Sequence, residues 1–267
     1  MRPATDRPQQ PLPADWLASM ESTGMDRRAV LGWLGATLLA GCGGGGGGGG
    51  DVAAPAPAAT GASAPLASSA ALSSNIALWG DSLTWGYAPQ LQALEGSRPV
   101  FNGGVIGDTS MQIAARQLAD TDHRDWVSVF WYGQNNLKDP ATIDLQRDPA
   151  QVKADLASSI AALAPGNTHF LVLSVVNQDK PGERRGEPVY DAILQLNADL
   201  AATYPDNYFD IRTWLVNQAD PNNPDDAASL QADLPARSLR WDEVHLTLDG
   251  YIALAREIKS LIDARGW

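Results

Sequence analysis

Ile76 to Trp79 is a short apolar run that stops at Gly80-Asp81-Ser82. A run of that kind, closed by a turn residue, has the pattern of a buried parallel strand. A strand buried on both faces constrains the whole chain, because it needs helices above and below it. The serine that follows would stand at the carboxyl edge of such a sheet, where open α/β folds place their ligands. Its hydroxyl becomes a nucleophile only if a base reaches it. The plainer reading is that Asp81 or Ser82 caps the next helix, and the rest of the chain has to decide between the two.

Downstream, apolar runs and amphipathic segments alternate. Pro99 to Phe101, Trp126 to Trp131, His169 to Val176 and Tyr208 to Ile211 read as further strands. A short helix is expected around Gln90 to Leu94, and others from Ser110 to Ala119 and from Leu248 to Ala264. Val152, Leu156, Ile160 and Leu163 mark another, as do Val189, Ile193, Leu196 and Leu200. Asn177 to Pro188 reads as a polar loop and Asn217 to Arg240 as a long irregular stretch. Alternation of this kind predicts right-handed crossovers and a parallel sheet covered on both faces, a three-layer α/β/α sandwich of flavodoxin-like type. The loops after the strands would then bring Ser82, Gly107, Asn135 and the segment after residue 176 to one edge. His245, just before the final helix, would close the set.

The first 74 residues differ in kind. Met25-Asp26-Arg27-Arg28 precedes an apolar run from Ala29 to Ala40, too short to span a bilayer but suited to a signal-peptide core. Leu39-Ala40-Gly41-Cys42 resembles a bacterial lipobox, which implies lipidation at Cys42. The pair Arg27-Arg28 resembles a twin-arginine signal. Residues 1–24, Pro-rich and polar, precede this signal and read as a start-site over-call or an extension. Residues 43–74, a glycine run followed by Ala, Pro, Ser and Thr, read as a flexible tether. The expectation is a 75–267 domain held outside the cytoplasm, in the periplasm, with membrane contact only through the lipid anchor.

Residues 75–267 carry 15 Lys plus Arg against 26 Asp plus Glu, which disfavours nucleic acid and anionic membrane surfaces as partners. Cys42 is the only cysteine, so an internal disulfide is excluded. His123, His169 and His245 show no metal-ligand spacing, and no metal site is expected. His123 and His169 lack evident partners and read as structural.

Four stretches together resemble the blocks of the SGNH, or GDSL, hydrolase family. They are Gly80-Asp81-Ser82-Leu83, Asn102 to Thr109 with Gly107, Gly133-Gln134-Asn135-Asn136, and Asp242-Glu243-Val244-His245. They stand in the family's order, each after a strand or before the last helix. The resemblance implies a serine esterase that needs no cofactor. Ser82 would be the nucleophile, His245 the base and Asp242 its orienting carboxylate. The oxyanion donors would be the backbone N–H groups of Ser82 and Gly107 and the side-chain amide of Asn135. Elementary chemistry agrees: an imidazole has an unperturbed pKa of about 6.5, and a carboxylate three residues before it lies within one turn of chain. A side chain at position 107 would obstruct a substrate. Asn135 as a turn residue is the plainer alternative, and Asp108 reads as a turn or cap residue. Asn136 stands where the family usually has aspartate, so a changed local hydrogen bond is expected there. Trp85, Tyr132 and Trp241 either line an acyl or sugar pocket or pack in the core.

The substrate implied is a short acyl ester or an O-acetylated carbohydrate, and transfer of the acyl group to an alcohol uses the same triad. An α/β-hydrolase is set aside because Gly80-Asp81-Ser82-Leu83-Thr84 lacks the second elbow glycine. A nucleotide-binding flavodoxin-like protein is disfavoured by the absence of a phosphate-cradling glycine loop after the first strand. A cell-surface binding lipoprotein on the same fold is the non-enzymatic alternative.

Overall fold

The computed structural model describes residues 72–137 and 141–267. The lipobox with Cys42, the segments 1–24 and 25–42, and the tether up to residue 71 lie outside the described residues. Among the described residues no helix is long and apolar enough to cross a membrane.

Five parallel strands form one sheet: β1 (Ile76–Gly80), β2 (Val100–Gly104), β3 (Val127–Trp131), β4 (Phe170–Leu173) and β5 (Tyr208–Phe209). Their order is β2-β1-β3-β4-β5, the flavodoxin-like order. The helices are α1 (Ser82–Glu95), α2 (Ser110–Ala119), α3 (Arg147–Ala161), α4 (Pro188–Thr203), α5 (Ile211–Val216), α6 (Pro224–Gln231) and α7 (Leu248–Ala264), with a 3₁₀ turn at Arg237–Leu239.

Alternate strand residues serve opposite faces. Ile76, Leu78, Val129 and Leu171 pack with Tyr87 and Leu91 of α1, Leu215 of α5 and Leu254 and Ile258 of α7. Ala77, Trp79, Phe130 and Val172 pack with Ile113 of α2, Leu156 of α3 and Ile193 and Leu196 of α4. The result is three layers, with the first and last helices side by side on one face. Gly86 of α1 makes that crossing possible, since a Cβ there would lie 2.3 Å from the Tyr251 ring of α7.

Two expectations about elements are corrected. The first helix starts at Ser82 and not near Gln90, because Asp81 caps it and accepts from Leu83 N–H at 3.0 Å. Pro89 lies inside that helix and cannot donate to the Trp85 carbonyl. The Asn102 side-chain amide donates to that carbonyl instead, at 3.4 Å. The stretch 217–240 is not irregular throughout. Asn223 caps α6 and accepts from Asp225 N–H at 3.0 Å, with Pro224 in the first turn, a local start signal. Asp226, buried, fixes the following segment through Ser238 N–H and Oγ at 2.7 and 2.8 Å. Polar anchoring of this kind leaves no apolar stripe to read.

The loop after β4 buries Glu183 completely. Its Oε2 accepts from Gln178 N–H at 2.7 Å, while Oε1 has no partner among the described residues. Burial pushes this carboxyl up to about 7 from 4.5. A raised carboxyl stabilises the fold while it is neutral, fully below about pH 4.5. That contribution is lost as pH rises through about 7. The loss is on the order of 3 kcal/mol. Glu183→Gln is therefore expected to flatten the fall in unfolding free energy between pH 5 and pH 8. Urea denaturation at both pH values tests this, and an unchanged pH dependence in the variant would refute it.

Candidate active site

Hydrogen bonds outside the Ser82–His245 set tie together the carboxyl ends of β1, β2 and β3. Val105 N–H donates to the Gly80 carbonyl at 3.1 Å. Arg116 of α2 donates to the carbonyls of Gly103 and Gly80 and pairs with Asp108 at 2.8 Å. Asp108 is therefore an ion-pair partner, and the residue preceding α2 as its cap is Thr109. Asn136 Oδ1 accepts from Ser110 N–H at 2.8 Å, and its amide donates to Ser110 Oγ at 3.0 Å. The local hydrogen bond expected at this position thus joins the loop after β3 to the start of α2.

Asp81 is the cap, and Ser82 occupies the first helical position with its hydroxyl left over. Ser82 Oγ lies 2.9 Å from His245 Nε2, across 163 residues of chain. His245 Nδ1 lies 2.8 Å from Asp242 Oδ2. Asp242 Oδ1 accepts from the N–H groups of Val244 and His245 at 2.8 and 2.7 Å. Burial raises the carboxyl's pKa, but the imidazole and these two N–H groups outweigh it and hold Asp242 well below the usual carboxylate range. An ionised Asp242 is an acceptor only, so Nδ1 carries the proton and Nε2 is left to accept from the Ser82 hydroxyl.

The turn bearing Asp242 and His245 closes on itself. Trp241 N–H donates to the His245 carbonyl at 2.7 Å, and Arg240 bridges to Leu246 in antiparallel fashion. Thr247 then caps α7 by accepting from Gly250 N–H at 3.2 Å.

The N–H groups of Ser82 and Gly107 have no hydrogen-bond acceptor among the described residues. Gly107 has a φ of +82°, and a Cβ there would meet no protein atom within 4 Å. Glycine is required by this left-handed backbone, a reason distinct from the obstruction argued from sequence. Asn135 sits at the same edge. Its amide nitrogen donates to Asp81 Oδ2 at 3.0 Å and to the Asp108 carbonyl at 2.9 Å. It thereby couples the serine turn to the Gly107 turn. Asp81 holds the helix start with one oxygen and Asn135 with the other, and sequence reasoning gave it only the first of those tasks. Of the three aromatics, Tyr132 is a core residue with its hydroxyl on Ser159 at 2.9 Å, Trp241 is exposed and Trp85 is half-buried.

The expectation that His123 lacks a partner is corrected. His123 Nδ1 lies 2.9 Å from Asp120, and Asp120 Oδ1 accepts from the N–H groups of Asp122 and His123 at 3.0 Å. This repeats the local geometry of Asp242 and His245. The ring stacks on Phe101, with centroids 4.0 Å apart, and meets Trp126 edge-on. It follows α2, away from the serine, and is structural. His169 stacks on Trp267. No group of three or more His, Cys, Asp or Glu side chains suited to a metal ion occurs among the described residues.

No family model and no curated protein matches the chain. Solved structures do. A lipase/acylhydrolase from Enterococcus faecalis superposes with a TM-score of 0.54 at 18% identity, over 72% of this chain and 97% of that one. A GDSL-like lipase from Bacteroides thetaiotaomicron gives 0.54 at 18% identity, over 72% and 88%. The acetyl xylan esterase AlAXEase gives 0.54 at 19% identity, over 70% and 98%. The chain thus has the α/β fold of the solved GDSL, or SGNH, acylhydrolases.

Proposed function

We propose that the protein is a serine esterase that cleaves carboxylic esters through an acyl-serine intermediate. The observation that carries this is the 2.9 Å contact between Ser82 Oγ and His245 Nε2, with Asp242 behind the imidazole. In the first half-reaction His245 takes the hydroxyl proton as Ser82 Oγ bonds to the ester carbonyl carbon. The tetrahedral oxyanion then collapses, the bond to the alkoxide breaks, and His245 returns the proton to the leaving alcohol. Water repeats the sequence on the acyl-serine, releasing the acid and restoring Ser82.

The N–H groups of Ser82 and Gly107 are the first two oxyanion donors in this reading, and the Asn135 amide is the third. An amide nitrogen has two hydrogens. Both are engaged with Asp81 and the Asp108 carbonyl, so donation to the developing charge requires the planar amide to shift as a unit and give up or share one of those bonds. Asn135→Ala is expected to lower kcat on a chromogenic acetate by about 10²–10³-fold, with a smaller change in KM. Loss in KM alone would make Asn135 a binding or scaffold residue only.

Small acyl esters and O-acetylated carbohydrates are the proposed substrates. The acetyl xylan esterase that shares the fold is named for such a carbohydrate ester. Lipidation at Cys42 would hold the enzyme at the envelope, outside the cytoplasm, where O-acetylated glycans occur. Hydrolysis of p-nitrophenyl acetate, and release of acetate from O-acetylated xylan or peptidoglycan, test the reading. No hydrolysis of any acyl ester would end it.

A further inference from the structure

We infer that Arg240 is a positioning residue for the triad, acting on Asp242 through a single peptide plane. The inference rests on the esterase reading for its kinetic test, but its geometry is independent of substrate.

Arg240 is 2% exposed, in a protein surface otherwise rich in solvated charge. Its Nε donates to the Pro235 carbonyl at 3.0 Å, and one terminal nitrogen reaches Asp179 Oδ2 and Ser229 Oγ at 3.4 Å each. The other terminal nitrogen donates to the Glu243 carbonyl at 3.3 Å. That carbonyl also accepts from Asp179 N–H at 2.9 Å. Two donors from outside the turn therefore grip the middle of Asp242-Glu243-Val244-His245.

The Glu243 carbonyl and the Val244 N–H belong to one planar peptide unit, so one cannot rotate without the other. Val244 N–H is a donor to Asp242 Oδ1. Fixing the carbonyl thus fixes a donor to the catalytic carboxylate, and with it the carboxylate that orients His245. The same guanidinium pins this turn to Asp179 in the loop after β4 and to Ser229 of α6. Neither segment carries a residue of the triad.

A lysine ammonium is a point donor and cannot reproduce the planar fork. The guanidinium also lines a cavity of about 410 Å³ with Asp179, Ser229 and Arg237. Asp179 and Ser229 line it too, so water there can take over the guanidinium's bonds to them, and an uncharged replacement is expected to fold.

Arg240→Met is expected to lower kcat on p-nitrophenyl acetate on the order of 10²-fold, as misplacement by about 1 Å does, with KM within about twofold. Arg240→Lys is expected to fall between the variant and the wild type. The downfield proton of the His245 Nδ1–H···Asp242 hydrogen bond, read by ¹H NMR on the uninhibited enzyme, is expected to shift or broaden in Arg240→Met. A folded Arg240→Met with wild-type kcat and an unchanged resonance would overturn the inference, as would a loss confined to KM. Should Arg240→Met fail to fold by circular dichroism, Arg240→Lys and Asp179→Asn decide: reduced kcat in both supports the clamp, and wild-type kcat in both removes it. Full activity in Ser82→Ala would instead sink the esterase reading and leave the proton resonance as the test of Arg240.

Discussion

Ser82→Ala is expected to cut turnover of p-nitrophenyl acetate by at least about 10³-fold, with the thermal melt and the far-ultraviolet spectrum unchanged. Stability should survive because the helix cap belongs to Asp81, whose Oδ1 takes the Leu83 N–H. The Ser82 hydroxyl contributes its contact with His245 and holds no helix end. Substrate affinity should change little, since the removed oxygen is the bond-forming atom and not a binding group. A fluorophosphonate should label the wild type on the peptide containing Ser82 and leave the variant unlabelled. A variant that still turns over at a tenth of the wild-type rate would show that some other group carries the reaction.

Asp242→Asn should cost about 10³–10⁴-fold in kcat, the range for loss of tautomer control in serine triads. The wild-type carboxylate accepts three N–H groups, two on Oδ1 and the imidazole's on Oδ2. An asparagine has one acceptor oxygen to offer. If that oxygen stays with the two backbone donors, the amide NH₂ faces His245 Nδ1. Nδ1 must then accept, the proton moves to Nε2, and nothing remains to take the Ser82 proton. The double variant Ser82→Ala/Asp242→Asn should be no slower than Ser82→Ala alone, because the two act as a unit. Multiplicative losses in the double variant would mean that the two residues do not cooperate.

The strands and the hydrogen-bonded set of Ser82, His245 and Asp242 were legible because each depends on local pattern or on short motifs. Ile76–Gly80, Ser110–Ala119 and Leu248–Ala264 follow from apolar runs, spacing and caps. Asp242 and His245 are three residues apart, and the fold had only to bring Ser82 to them. Other features were illegible for identifiable reasons. Helix α1 contains Gly86 and Pro89, residues that argue against a helix until Asn102 from another strand supplies the missing donor. Helix α6 is held by Asp226 and a capping asparagine in place of an apolar face. Asp120 with His123 repeats Asp242 with His245, with the same spacing and matching hydrogen bonds. Local sequence cannot tell the two apart; only the position of Ser82 does. Arg240 was hidden for the opposite reason, since a buried guanidinium looks like any surface arginine in a sequence.

The juxtaposition of α1 and α7 has a temporal consequence. Ser82 leaves the first strand of the domain, and His245 enters its last helix. Closing so large a loop is entropically opposed until the intervening layers have assembled. During synthesis the Ser82 hydroxyl emerges well before the His245 imidazole, so a half-made polypeptide lacks the contact between them. That contact requires the final helix to seat against the first, with Tyr251 over Gly86. The Ser82–His245 contact therefore belongs to the finished fold and to no shorter stretch of the chain.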